Sequence, residues 1–504
     1  MNLLRRSLKR LLPPQQHPDP KLQFWWDWTQ WAILILPLSS FLGGVSILLI
    51  ALLLGWRLFP VLRRRRVNQG LAIVSLLMLL SATFAEIKDA AFLGLFNFLP
   101  FFLAFAVLSE LIRTPAQLRR LTWILVVGSI PVVLIGLGQK CLGWSGHIQF
   151  LGIVVDWLIQ SGGNPPGRMS SVFFYANVLA TYFVVTFTLA LGLWIEAVNQ
   201  RSFTLGSCQS QRFDHTAASQ GKLDHRSEQD AQTWQTLSPQ KVKNRWSTVA
   251  VRQWLTPRLL ILTGIVIGNA IALILTDSRN AWAIAAIACL AFALYQGWRW
   301  LLVGVGAATS AVLMAAFAPS PIREGWRAIV PAFFWARLTD ELYPNRPERM
   351  LRTTQWKFAW SMTEQRPWLG WGLRNFTPLY KAQVHSTMGH PHNLTLMLLA
   401  ETGIPATIVL IGVVGWVVAQ GSRSLLNWYD DDDANTSADR RQQSLDRLIY
   451  FTFLLAFIGC TLFSVFDVTL FDARINVIGW LLLAGICGMV YHLPVANPQK
   501  LIST

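Results

Sequence analysis

The sequence is short of charge and short of cysteine, and both shortages narrow what it can be. Asp, Glu, Lys and Arg make up only 14% of its 504 residues, where about 25% is usual for a soluble chain. The five cysteines, Cys141, Cys208, Cys289, Cys460 and Cys487, are scattered with no CxxC pair, which argues against a disulfide framework or a cysteine zinc site. There is no Walker A loop and no GxGxxG turn, so a nucleotide-driven pump is not expected. HExxH is missing too, and the outer loops, on the face opposite the basic ones, carry no DxD pair or carboxylate cluster spaced to hold Mg²⁺ or Mn²⁺.

Apolar surface is abundant. Hydrophobic residues reach 53%, tryptophans number 24 and the mean hydropathy is +0.40, the composition of a polytopic membrane protein. Runs of about 20 apolar residues, long enough to cross the hydrocarbon as helix, are expected at about 70–85, 90–111, 121–138, 171–195, 258–275, 280–296, 300–318, 392–419, 447–467 and 474–492. The run from Trp31 to Pro60, interrupted by Pro37 and Gly43-Gly44, reads as two short helices or a re-entrant pair. The fold class is therefore all-α, with about twelve crossings and no separate soluble domain.

The net charge of +17 would suggest nucleic acid in a soluble chain. Here "RRRR" (63–66), "RTPAQLRR" (113–120), the basic 201–258 stretch and "WRW" (298–300) fall in loops on one side of the predicted membrane, so the charge reads as topology and no nucleic-acid partner is expected. Those loops and both termini are placed in the cytoplasm, and no cleavage pattern follows the first apolar run. The expected divisions are a cytoplasmic tail (1–28), N-terminal helices (29–195), a polar cytoplasmic insert (196–257) and central helices (258–318). A large outer loop (319–391), C-terminal helices (392–492) with an acidic cytoplasmic loop (421–446), and a short tail (493–504) complete the chain.

Three stretches converge on the outer face: "LTDSRNAW" (275–282), "LRTTQWKFAWSMTEQRPWLGWGLRNF" (351–376) and "GHPHN" (389–393). Arg279 stands where one helix emerges and the next begins. Arg352, Trp356 and Trp360 share one face of a helix lying at the interface. His392, followed by Asn393, opens a helix whose N-terminal end favours anions. Guanidinium holds phosphate bidentately and stays charged, so it suits a pyrophosphate leaving group, while imidazole can take the proton of an attacking hydroxyl. Together they point to metal-independent glycosyl transfer from a lipid pyrophosphate. Arg168 and Arg374 are further candidate phosphate contacts, although Arg374 in "GWGLRNF" also suits a turn. Asn177 reads as packing between helices, Glu401 as a buried hydrogen-bonding group, and Asp467 and Asp472 as local partners of Arg474.

These motifs, in the order "GRMSSVFFYANVLATY", "TDSRNAW", "RTTQWKFAW…RPWLGWGLRNF" and "HNLTLMLLAETGIP", resemble the O-antigen ligase and polymerase superfamily over roughly 165–490. The resemblance implies a helical fold like that of other lipid-linked (GT-C-like) glycosyltransferases. It also implies a site at the periplasmic face of the bacterial inner membrane and transfer, with inversion and without cofactor, from undecaprenyl pyrophosphate to a hydroxyl on lipid A core or another glycan. By the same resemblance Arg279 and Arg352 bind pyrophosphate and His392 is the base. From their positions in the chain, Arg168, Arg374, Trp356 and Asn393 are taken as substrate contacts. The superfamily also implies alternatives: a polymerase, or a transporter of a solute such as inorganic carbon.

Overall fold

The computed structural model describes residues 15–152, 154–220, 257–339, 351–428 and 436–492; beyond Arg201, residues 202–220 are described in backbone only. Most of the polar insert, the acidic block after Trp428, the first half of the N-terminal tail (1–14) and the C-terminal tail (493–504) lie outside these residues. The described chain is helical except for one hairpin. In order, α1 is Gln23–Ile35, α2 Ser40–Leu62, α3 Arg66–Thr83, α4 Lys88–Leu95, α5 Leu99–Leu111 and α6 Pro115–Cys141. The strands β1 (Gly146–Phe150) and β2 (Val155–Ile159) precede α7 (Ala176–Gln220), α8 (Pro257–Leu275), α9 (Arg279–Tyr295) and α10 (Arg299–Phe317). Then follow α11 (Ile322–Ile329), α12 (Ala332–Leu338), α13 (Arg352–Gln365), α14 (Phe376–Val384), α15 (Leu394–Leu426), α16 (Ser437–Phe466) and α17 (Ala473–His492).

Among the described residues, ten helical spans are long and apolar enough to cross a membrane, α4 and α5 together forming one of them. Two shorter helices run between the same two ends of the molecule. At the start of α1, His17 Nε2 meets the carbonyl of Leu111, whereas past its far end Trp157 Nε1 donates to the carbonyl of Leu38. Likewise α9 begins beside Thr276 and ends where Gln296 donates to Asn199. The 142–170 connection lies at the first of the ends named for α9, and the start of α6 at the other, where Arg119 pairs with Glu196.

Local chemistry sets the boundaries. Thr114 and Gln117 form a reciprocal cap ahead of α6, and Ser39, Asn393 and Thr436 cap α2, α15 and α16. The expected single helix over 90–111 is split at Phe96–Phe98, with Pro100 in the first turn of α5, a position where its missing N–H costs nothing. The antiparallel hairpin Gly146–Phe150 with Val155–Ile159 was not expected. Helix α7 also runs on through Gln220, into the segment assigned to a polar insert.

The feature that positions the site is a break in α15. Gly403 has φ +81° inside the helix, and Pro405 follows it. Because Pro405 has no N–H, the carbonyl of Glu401 loses its helical donor. It accepts instead from Gly372 N at 2.8 Å and from Ser81 Oγ at 3.0 Å. One residue back, the Ala400 carbonyl accepts from Trp371 N at 3.0 Å, while Ile404 N donates to the Pro367 carbonyl at 2.8 Å. The loop 367–372 thereby restores the hydrogen bonds the break releases, as a membrane helix requires. Contact is close: a Cβ on Gly403 would lie 2.4 Å from the Trp368 carbonyl oxygen, and one on Gly370 2.5 Å from Glu401.

Above this seam a small apolar core, separate from the main one, joins Phe358, Ala359 and Met362 of α13 to Phe376 and Tyr380 of α14 and Ala400 of α15. The buried Glu401 carboxylate accepts from Phe376 N at 3.0 Å and from the Arg374 backbone. It thus caps α14 from a neighbouring element.

Candidate active site

The site gathers where α13, α15 and α16 approach the end carrying the 142–170 connection. His392 sits just before the cap of α15, with φ +53°, a left-handed conformation uncommon for a residue with a Cβ. Its Nδ1 lies 2.9 Å from Oδ1 of Asp467, the residue that ends α16. Burial alone would raise the Asp467 pKa, but the hydrogen bond and charge of His392, the charge of His390 and an Asn177 hydrogen bond outweigh it and hold the carboxylate below its ordinary range. An ionised Asp467 can only accept. Nδ1 of His392 is therefore the donor, which leaves Nε2 with its lone pair when the ring is neutral.

His390 is the second imidazole here, with ring centroids 4.5 Å apart in a T-shaped pair. Its Nδ1 accepts from the His392 backbone N–H at 3.2 Å, and its Nε2 lies 3.7 Å from Asp467. Burial pushes its pKa down to about 4, reinforced by His392 and Arg352 and opposed by Asp467, so it is neutral at ordinary pH. One ligand atom from each of His390, His392 and Asp467 lies within 4.8 Å of the others, a geometry able to hold a metal ion.

A polar chain extends from Asp467. Asn177, in the first turn of α7, donates through Nδ2 to Asp467 Oδ2 and accepts through Oδ1 from Arg168 Nη2. Arg168 Nε donates to the Thr276 carbonyl at 2.8 Å, and Met169 N donates to the Leu275 carbonyl. This ties the 168–177 segment to the turn that leads into α9. Arg279 opens that helix three residues beyond Thr276, with its side chain exposed.

Arg352 opens α13. Its charge bears on both His390 and Tyr175, and Tyr175 also senses Asp467 and Arg168. Burial and the Asp467 charge raise the Tyr175 pKa against those two arginines. One turn along α13, Trp356 Nε1 donates to the Pro391 carbonyl at 2.9 Å, fixing the helix to the His-Pro-His segment.

The structure therefore pairs His392 with Asp467, links Arg168 to that carboxylate through Asn177, sets Arg352 and Trp356 against the His390–His392 segment, and places Arg279 just beyond the turn Arg168 holds. Asn393 accepts from Leu396 N and serves as a cap. Arg374 lies with the seam, its charge felt at Glu401. Asp472 pairs with Arg474 at 2.6 Å as expected, but Asp467 does not; it turns to His392. Nor is Asn177 packing alone, since it bridges Arg168 to Asp467. The available signal for Asp467 was its position, an acid at a helix end on the same face as "HPH".

Next to this cluster an apolar cavity of about 530 Å³ runs between α15, α16 and α17. Leu394, Thr395 and Leu470 line its near end, each within three residues of His392 or Asp467, and Val418 and Leu483 lie farther along it.

Residues 264–411 match the O-antigen ligase family model. That stretch is less than a third of the chain, but it holds Arg279, Arg352, Trp356, His392 and both sides of the α15 seam. Arg168, Asn177 and Asp467 lie outside it. No curated protein matches the chain. The C-terminal region of this polytopic helical protein is thus similar to a family of O-antigen ligases and polymerases, which suggests an enzymatic role of that type.

Proposed function

We propose that the protein is an inner-membrane glycosyltransferase whose His392 end faces the periplasm. It moves a glycan from undecaprenyl pyrophosphate to an acceptor hydroxyl, ligation onto lipid A core being preferred over polymerisation. The observation that carries this reading is the His392–Asp467 pair beside Arg168 and Arg352 at one end of a membrane bundle.

In the reaction, Nε2 of His392 takes the proton of the attacking hydroxyl while Asp467 stabilises the imidazolium that forms. The acceptor oxygen bonds to the anomeric carbon as the bond from that carbon to the pyrophosphate oxygen breaks, with inversion. The electron pair leaves with the pyrophosphate, whose charge Arg279 and Arg352 neutralise, assisted by Arg168. Guanidiniums supply the positive charge that a cation would otherwise bring. The apolar cavity beside Leu394 suits the prenyl chain of the donor, and the bundle of about twelve crossings resembles other lipid-linked glycosyltransferases.

Transport is the second reading, favoured by the broken α15 with Glu401 inside it. The groups freed by that break are taken up by the 367–372 loop, which leaves transfer in front. The test uses purified protein in nanodiscs with an undecaprenyl-pyrophosphate glycan, lipid A core as acceptor, and EDTA. Core-linked product supports the ligase, and a lengthened donor glycan the polymerase. Transfer abolished by EDTA and restored by a divalent ion would assign His390, His392 and Asp467 to a metal instead. Solute flux in sealed vesicles without any transfer would overturn the enzyme reading.

A further inference from the structure

At the end of the molecule opposite His392, we propose a binding site for a phosphate-bearing anion, seated among Arg201, Arg258 and Arg441. The site is independent of the reaction proposed above.

Three helices each give it one face. Ala197, Gln200 and Arg201 lie at i, i+3 and i+4 on α7, while Ala438, Arg441, Gln442 and Leu445 repeat that spacing over two turns of α16; Arg258 comes from the first turn of α8. They line an open cavity of about 490 Å³, far larger than a single carboxylate needs. Buried Ala197 and Leu445 form its apolar part.

The arginines are held in place. Arg441 donates to the carbonyl of Gln200, and Arg258 Nη1 reaches Gln200 Oε1 at 3.5 Å. Beside them a fourth arginine, Arg119, binds Glu196 at 2.5 Å and Asp446 at 2.7 Å. Arg258 stands 3.8 Å from the other oxygen of Glu196. The N-terminal ends of α8 and α16 add positive potential. Phosphate oxygens match guanidinium forks from several directions.

The position suits a lipid headgroup. Arg258 lies over the Trp123 ring at 5.4 Å, and Trp194 donates to Thr263 nearby; tryptophans mark the bilayer interface, and basic pockets between membrane helices take anionic headgroups. Free phosphate offers the same chemistry, so the experiment must separate the two.

The full chain is reconstituted with phosphatidylglycerol or phosphatidylcholine, and retained lipid is measured by native mass spectrometry. Melting is followed in parallel with inorganic phosphate alone. We expect R201Q/R258Q/R441Q to retain at least about tenfold less phosphatidylglycerol than the wild type, with R441Q alone intermediate. R63Q/R64Q/R66Q, which removes equal charge outside the cavity, should match the wild type. A phosphate-induced rise in melting temperature that R441Q weakens, without lipid retention, would make the occupant free phosphate. Equal lipid retention by wild type and R441Q with no phosphate shift overturns the site, as does equal loss in the control triple variant.

Discussion

His392 illustrates how far a residue's role can be read from its neighbours in sequence and where it cannot. "HPHN" at the mouth of an apolar run marked it as a polar group at the membrane edge, and its helix start was legible. Its partner was not, because Asp467 lies 75 positions away, and only the approach of α16 to α15 joins them. We expect His392→Ala to lower transfer by about 10³-fold and Asp467→Asn by about 10²-fold or more, both proteins remaining inserted, as assayed by product formation and detergent-stable elution. Arg279→Lys should also impair transfer, since a point charge lacks the guanidinium fork. His390 gives a pH signature. Its folded pKa of about 4 lies below the ordinary value near 6.5, so the unfolded chain binds the proton more readily. The stability this contributes is full above about pH 6.5 and is lost as pH falls toward 4. A melting series over that window should fall for the wild type and fall less for His390→Asn.

Among the elements, the long apolar runs were the most legible part, because length and hydropathy alone demand a crossing helix. Breaks were harder to foresee. The 90–111 run gave no sign of its turn at 96–98 beyond Pro100, and "AETGIP" reads as apolar until Gly403 is seen at φ +81°. The loop that mends the break lies more than thirty residues upstream, so "PWLGWG" and "AETGIP" look unrelated until folded together. Gly403→Ala would force a Cβ against the Trp368 carbonyl in a left-handed conformation. It should cost about 1–3 kcal/mol, seen as a lower melting temperature and faster proteolysis of the 367–376 loop. Glu401→Gln keeps an acceptor for Phe376 N and should be tolerated far better than Glu401→Ala, in the same two assays.

At the level of the whole molecule, the charge pattern gave a sidedness that the proposed function needs. The two ends differ in chemistry: imidazole, carboxylate and arginine on one, and on the other ion pairs such as Arg65 with Glu110 and Arg119 with Glu196. The native thiol of Cys141 is exposed at the end of α6, next to the hairpin. In intact spheroplasts a membrane-impermeant maleimide should label Cys141 and leave Arg441→Cys untouched until the membrane is opened. The reverse pattern would place His392 in the cytoplasm and remove the proposed reaction.

The seam between α15 and the 367–372 loop is made almost wholly of main-chain groups, and this constrains how the protein can vary. Side chains such as Trp368 and Leu369 can be exchanged without touching those bonds, so substitutions there are cheap unless they fall on Gly370, Gly372 or Gly403, whose left-handed backbones leave no room for a Cβ. A deletion of one residue is another matter. It would slide every donor past its acceptor, leave the carbonyls of Ala400 and Glu401 bare inside the membrane, and shift α13 with its arginine away from the imidazole. Homologues should therefore differ freely in letters across this stretch while keeping its length fixed.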